Sequence, residues 1–140
     1  MIWFKEYTLE GLQKFCMHTL VSNIGIEFVE IGENYLKAKM PVDQRTIQPL
    51  GILHGGASLA LAETIGSVAS YMTLDPDKNM SVGLEINANH IKSKKEGFVF
   101  GNGRPLHLGK TTQVWQIEIR DQMDKLVSMS RFTLAVLAKK

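Results

Sequence analysis

The sequence predicts an α+β domain in which a curved antiparallel sheet wraps around one long central helix. The predicted elements run in the order helix, two strands, long helix, four strands. Only one helix interrupts the strands, so the repeated crossovers of a parallel sheet are excluded. A chain of 140 residues, 44% of them apolar, suffices for one core but not for two. Residues 1–140 are therefore predicted to form a single domain.

The first third of the chain contains a short helix and a hairpin. Apolar residues at helical spacing behind Thr8, a suitable N-cap, predict an amphipathic helix to about Leu20. Strands are predicted over Ile24–Glu30 and Tyr35–Met40 because both runs favour extended backbone. The turn residues between them, from Gly32 to Asn34, indicate a hairpin.

The long helix is predicted from Gly55 to Leu74, between a Gly-Gly pair and Asp75-Pro76-Asp77. Its length of about 20 apolar residues would suit a membrane span. However, Glu63 lies near its centre, and a carboxylate is costly at that depth in a bilayer. We therefore expect a buried helix inside the domain, and no membrane partner.

Four further strands are predicted, and the short turns between them indicate an antiparallel ladder. In the first of these strands, Val82, Leu84, Ile86 and Ala88 alternate with polar residues, which predicts one buried face. His90 shares that parity and is expected to be buried with them. The four strands cover Met80–Ile91, Gly97–Arg104, Thr112–Arg120 and Leu126–Leu137.

Composition excludes several classes of function. Sixteen Lys and Arg against fourteen Asp and Glu give a net charge of +2, too small for sequence-independent nucleic-acid binding. The one cysteine, Cys16, allows neither an internal disulfide nor a thiolate metal site. The N-terminus does not resemble a secretory signal. A cytoplasmic location is therefore expected. The spacing of His54, His90 and His107 matches no compact ligand motif, so no metal is expected.

Glu63 is the strongest candidate for a catalytic residue. Within an apolar helix a carboxylate must be paired, protonated or placed at a water-lined site, because burial of an unpaired charge is costly. The alternative is a helix face that meets solvent or a polar subunit contact. Ser67 lies one turn further on the same face and could orient the carboxylate or a water, although small helix residues also serve packing alone.

The segment His54-Gly55-Gly56 is the second candidate. Free N–H groups and the positive end of the helix dipole suit a carbonyl oxygen that gains negative charge in a transition state. Two glycines allow a substrate to approach the backbone, although Gly-Gly is also an ordinary turn. Gln48 could hold the same carbonyl or steady His54, or could be a solvated loop amide.

Basic residues follow two of the predicted strands. Lys92, Lys94 and Lys95 come after His90, and the next strand leads into Arg104, His107 and Lys110. If the two strands are neighbours, these residues form a basic cluster suited to a phosphorylated ligand. The alternative is two solvated turns with basic side chains.

Four segments together resemble the hotdog-fold acyl-CoA thioesterases, in the branch with its catalytic glutamate on the central helix. They are Gln48–Gly56, Ala62–Ser67, Gly83–His90 and Pro105–Gly109, and the resemblance covers nearly the whole chain. It implies hydrolysis of an aromatic acyl-CoA, foremost the 1,4-dihydroxy-2-naphthoyl-CoA of menaquinone synthesis, with no cofactor beyond the CoA of the substrate. The alternatives are a thioesterase that releases misloaded acyl groups from a carrier protein, a non-catalytic acyl-CoA-binding module, and a hotdog dehydratase.

The resemblance also implies a role for each matching residue. Glu63 would be the nucleophile or general base, and Ser67 would position water. Gly55 would polarise the thioester oxygen, assisted by Gln48 and His54. The family further implies a homotetramer of two dimers, with active sites shared between subunits. The residues expected to hold the CoA arm and its phosphates are Gly83, His90, Lys92, Ser93, His107, Gly109, Lys110 and Thr111.

Overall fold

A computed structural model describes residues 1–140 as one six-stranded antiparallel sheet and three helices. The strand order in the sheet is β1-β2-β4-β5-β6-β3. The helices are α1 (Leu9–Phe15), α2 (Leu20–Asn23) and α3 (Gly55–Thr73). The strands are β1 (Glu27–Ile31), β2 (Leu36–Pro41), β3 (Asn79–His90), β4 (Phe98–Leu108), β5 (Thr112–Asp121) and β6 (Leu126–Ala138). The predicted α+β architecture is confirmed.

The core lies between α3 and the sheet, which contacts the helix through β2 to β6. Leu61, Ile65 and Met72 of α3 are fully buried there. Small residues allow close packing, since a Cβ on Gly66 would lie 2.6 Å from Cδ2 of Phe132. From the sheet side, a Cβ on Gly103 would lie 2.6 Å from Cγ2 of Ile65. No helix of the chain is both long enough and apolar enough to cross a membrane.

The single helix predicted from Thr8 to Leu20 is wrong in its second half. Thr8 is the N-cap of α1, as predicted, but the helix ends at Phe15. His18 then adopts a left-handed backbone, with φ of 61°, and Thr19 caps α2. The cause is local, because the Thr19 side chain accepts the Val21 N–H while the Ser22 hydroxyl accepts the Thr19 N–H. This pairing begins a new helix instead of continuing the old one.

The buried face predicted for β3 is only partly present. Val82 is 37% exposed and Leu84 61% exposed, and His90 is exposed as well. β3 pairs with β6 alone, so it forms an edge of the sheet, and a register shift between Gly83 and Glu85 interrupts its alternation. The alternation predicted the strand correctly but did not identify what covers it.

The predicted basic cluster does not form within one chain, because β3 and β4 are not neighbours. The end of β3 at His90 lies opposite Ser128, at the start of β6. The turn after β4 lies at the other end of β6, where the Thr111 carbonyl accepts the Val136 N–H at 2.8 Å. Lys92 and Lys110 are therefore at opposite ends of the sheet.

Candidate active site

The N-terminus of α3 offers one unused hydrogen-bond donor. Nδ1 of His54 accepts the Gly56 N–H at 2.7 Å, and the His54 carbonyl accepts the N–H groups of Ala57 and Ser58. The Gly55 N–H has no acceptor in the protein. Because this donor also lies at the positive end of the helix dipole, it suits an oxygen that carries negative charge.

The surroundings of Gly55 bring three more of the predicted residues together. The imidazole of His90 lies against it, so that a Cβ on Gly55 would be 2.9 Å from Nε2. An adjoining cavity of about 240 Å³ also includes Lys92 and Ser93. Its lining consists of Ile52, Leu53, Gly55, Ser58, His90, Ile91, Lys92, Ser93 and Val127.

Gln48 is used within its own loop in this chain. Its Oε1 accepts the Leu50 N–H, its N–H donates to the Ile52 carbonyl, and its carbonyl accepts the Gly51 N–H. The side chain does not hydrogen-bond to His54. The structure therefore places Gln48 in the loop-amide arrangement that the sequence left open as an alternative.

Glu63 is exposed and forms no salt bridge. It is the one charged side chain in a groove of about 670 Å³ between the α1–α2 corner and α3. Ser67 lies in the same groove, as its helical spacing predicts. The remaining lining residues are Phe15, Cys16, Thr19, Leu20, Val21, Gly56, Leu59, Ala60, Thr64 and Val68. The carboxylate is thus open to water at the wall of an apolar groove.

Gly83 lies beside Glu63 in space. A Cβ on Gly83 would be 3.6 Å from Oε2 of Glu63. The turn between β4 and β5 approaches the same end of the sheet, since Gly83 and Gln113 both pair with Leu134. In that turn the Gly109 N–H donates to the Thr112 carbonyl at 2.9 Å. The turn carries three predicted binding residues, Gly109, Lys110 and Thr111, and a fourth, His107, lies at the end of β4.

The predicted site residues therefore form two separate groups in one chain. Gly55 and Glu63 are eight residues apart on α3, which corresponds to about 12 Å along the axis and about 80° around it. One carbonyl cannot meet both. The Gly55 group comprises His54, Gly55, His90, Lys92 and Ser93. The Glu63 group comprises Glu63, Ser67 and Gly83, together with His107, Gly109, Lys110 and Thr111, which lie at the same end of the sheet.

Sequence reasoning missed Asp121, a buried carboxylate next to the Gly55 group. Its Oδ2 lies 2.8 Å from Nζ of Lys92. That ammonium and the N–H groups of Lys125 and Met123 hold the pKa of Asp121 well below its usual range. No local pattern could have revealed this pair, because its members are 29 residues apart. The available signal was that Asp121, a charged residue, falls on the alternate positions of β5 that face the core.

The three histidines considered as metal ligands do not converge. No three His, Cys, Asp or Glu side chains come close enough together to hold a metal ion. Nδ1 of His54 is already occupied by the Gly56 N–H. His107 lies in the Glu63 group, whereas His54 and His90 lie in the Gly55 group.

Comparison with known proteins decides the family. A family model described as the thioesterase superfamily matches residues 50–128, which include Gly55, Glu63 and Gly83. The chain belongs to the thioesterase superfamily. This thioesterase is 52% identical over 137 residues to the 1,4-dihydroxy-2-naphthoyl-CoA hydrolase of Escherichia coli, covering 98% of the chain and 100% of the relative. It is 47% identical over 137 residues to the proofreading thioesterase EntH of Cronobacter turicensis, covering 98% and 99%.

Solved structures confirm the hotdog fold of this thioesterase. A thioesterase from Haemophilus influenzae superimposes with a TM-score of 0.96 at 48% identity, covering 99% of this chain and 96% of the other. A mutant thioesterase from Pseudomonas aeruginosa superimposes with a TM-score of 0.98 at 40% identity, covering 99% and 100%. Fold and family together make the chain a thioester hydrolase.

Proposed function

We propose that this thioesterase hydrolyses an aromatic acyl-CoA, foremost 1,4-dihydroxy-2-naphthoyl-CoA, to the free acid and CoA. The observation that carries the proposal is the presence of one carboxylate, Glu63, in an apolar groove, together with an unused N–H at Gly55. The name of the Escherichia coli relative supports the choice of acyl group. A thioester is already activated, so this chemistry requires no metal and no cofactor besides the CoA of the substrate.

In the proposed reaction the acyl group lies in the apolar groove and the thioester oxygen accepts the Gly55 N–H. Glu63 then acts in one of two ways. As a nucleophile it forms a mixed anhydride and releases CoA, and water hydrolyses the anhydride to regenerate the carboxylate. As a general base it takes a proton from water, which attacks the carbonyl directly; the C–S bond then breaks, and CoA leaves as the thiol with the proton that Glu63 returns. The Ser67 hydroxyl, one helical turn away, orients the water in either case.

The proposal includes a homodimer, paired again into a tetramer, with each active site shared between two copies. The separation of Gly55 and Glu63 on one helix supports it, because one carbonyl cannot meet both residues of the same chain. The exposed edge of β3, with Met80, Val82 and Leu84, offers a surface for a second copy. A Glu63 group from one copy then faces a Gly55 group from the other.

In the same proposal the two groups together hold the CoA arm. His90 and Ser93 belong to the Gly55 group, and the residues of the β4–β5 turn belong to the Glu63 group. Gln48 assists at the thioester oxygen after its side chain turns from the loop. The enzyme works in the cytoplasm, where Cys16 stays reduced.

A second candidate function is the removal of misloaded aryl groups from a carrier protein. The similarity to the proofreading thioesterase EntH supports it. Both reactions use the same carboxylate and the same oxyanion donor, and they differ in what carries the thiol. A carrier protein would meet the rim of the groove rather than a nucleotide site.

Thiol release from a substrate panel tests the proposal. The panel contains aryl-CoA, alkyl-CoA, an aryl-loaded carrier protein and an enoyl thioester. We expect kcat/KM to be at least about tenfold higher for aryl-CoA than for alkyl-CoA. A preference for the loaded carrier protein would favour the second candidate, and hydration of the enoyl thioester would indicate a dehydratase. Tight acyl-CoA binding without thiol release would indicate a binding module and contradict the proposal.

A further inference from the structure

Lys92 is already paired with an anion inside its own chain. Its Nζ lies 2.8 Å from Oδ2 of Asp121, whose side chain is only 2% exposed, whereas the Lys92 side chain is 43% exposed. The second cation near this carboxylate, Nζ of Lys94, is farther away at 3.9 Å. If Lys92 turned to a phosphate, a buried carboxylate would lose its main partner, which is costly.

The ion pair lies at one end of a continuous set of contacts that reaches Gly55. The N–H groups of Ile91 and Lys92 both donate to the Val127 carbonyl, at 2.8 and 3.2 Å. The Lys94 carbonyl accepts the Leu53 N–H at 2.7 Å, one residue before the N-cap of α3. Segment 91–94 therefore links the end of β5 and the start of β6 to the residues that begin the helix.

We propose that Lys92 is a positioning residue and does not bind a CoA phosphate. By pairing with Asp121, it fixes segment 91–94, and this segment holds Leu53 and the donor at Gly55 in place. The inference rests on the proposed function and changes the part that Lys92 plays in it. Lys110, which is exposed and forms no salt bridge, is the better candidate for a phosphate contact.

Two substrates distinguish a positioning residue from a phosphate ligand. Aryl-CoA carries the phosphorylated nucleotide, and the matching aryl-pantetheine thioester lacks it. For Lys92→Met we expect kcat to fall about tenfold on both substrates, because a misplaced oxyanion donor affects the carbonyl of either thioester. Any change in KM should be by the same factor for both substrates. Asp121→Asn should have the same effect, and Lys92→Arg should restore kcat. The matched variant Lys110→Gln should raise KM for aryl-CoA several-fold more than for aryl-pantetheine.

A rise in KM confined to aryl-CoA in Lys92→Met would overturn the inference and return Lys92 to the phosphate site. Unchanged kinetics on both substrates would overturn it as well. Amide hydrogen exchange gives a readout that does not need activity. We expect exchange at Leu53 to be at least about tenfold faster in Lys92→Met, with exchange in α1 unchanged. Unchanged exchange at Leu53 would refute the positioning role. If the wild type hydrolysed neither thioester while exchange at Leu53 was still faster in Lys92→Met, the proposed function alone would be refuted.

Discussion

Oε2 of Glu63 lies 3.6 Å from the point that a Cβ on Gly83 would occupy. The same Cβ would lie 2.9 Å from Cζ of Phe132, a buried core residue. Because Gly83 has no side chain, β3 can lie close to the core, and one side of the Glu63 carboxylate stays clear. An edge strand and the central helix therefore meet beside this carboxylate.

Gly83→Ala should lower both stability and kcat. The new methyl group must displace Phe132, which we expect to cost about 1–3 kcal/mol of unfolding free energy. It also narrows the space beside Glu63. Urea unfolding and thiol release measure the two effects. Gly66→Ala is the matched control, because its Cβ would press on the same ring from α3, at 2.6 Å from Cδ2. Equal losses of kcat in both variants would contradict a specific effect on Glu63.

His54→Ala should destabilise α3 by about 1 kcal/mol, because the imidazole that accepts the Gly56 N–H is lost. Asparagine is a good N-cap, so His54→Asn should recover most of that free energy. Urea denaturation at a fixed protein concentration compares the three proteins. If the Ala and Asn variants were equally stable, the capping role of His54 would be wrong.

The lowered pKa of Asp121 makes a prediction about acid stability. The folded-state pKa lies below the unfolded value of about 3.9, so the ionised carboxylate stabilises the fold above that pH. The stabilisation declines as the pH falls below about 4 toward the folded-state pKa. Asp121→Asn should therefore be less stable than the wild type at pH 7, and the difference should begin to shrink as the pH falls from about 4 to 3. A stability difference that stays constant from pH 7 to pH 3 would show that the charge is not responsible.

Phe15 is expected to contribute to the preference for aromatic acyl groups. Its ring is 65% exposed in the groove and stacks on Tyr71, with centroids 5.6 Å apart and planes 11° from parallel. Loss of one aromatic contact in Phe15→Ala should lower kcat/KM for aryl-CoA about fivefold. Activity on a short alkyl-CoA should change little, and loss of the stacking on Tyr71 should lower the unfolding free energy by about 1 kcal/mol. Phe4→Ala, at an exposed ring outside the groove, is the control, and equal losses in both variants would argue against this role.

Most elements could be predicted from the sequence because their signals are local. The hairpin around Gly32, the limits of the long helix and the last four strands depend on turn residues and on apolar periodicity within one segment. Glu63 and Gly55 could be recognised as candidate site residues for the same reason, because each is distinguished by its immediate neighbours in the sequence. The hydrogen-bonded pair of Thr19 and Ser22 is equally local. However, apolar residues continue at helical spacing as far as Leu20, and this spacing predicted one unbroken helix.

Relationships between distant segments could not be predicted in the same way. The exposure of Leu84 and the distance between Lys92 and Lys110 depend on β3 pairing with β6 at the sheet edge. The ion pair of Lys92 with Asp121 depends on where the β5–β6 turn lies. Alternation defines which residues share a face, but the strand order determines what that face meets.

In the proposed mechanism, Glu63 of one copy acts on a thioester held by Gly55 of another. Gly55→Pro removes the N–H donor, and proline is tolerated at the first position of a helix, where its Cβ displaces the imidazole of His90 from a position only 2.9 Å away. The extended backbone of His54, with φ of −70° and ψ of 129°, also suits a following proline. Glu63→Ala removes the carboxylate. Each variant alone should lose nearly all thiol release from aryl-CoA.

The most direct test is to unfold the two variants, refold them as a mixture and confirm mixed oligomers by native mass spectrometry. Half of the dimers should then be mixed, and one of their two sites should have both wild-type residues. We predict recovery of about a quarter of wild-type turnover. Mixed oligomers that remain as inactive as either variant alone would contradict a site shared between two chains.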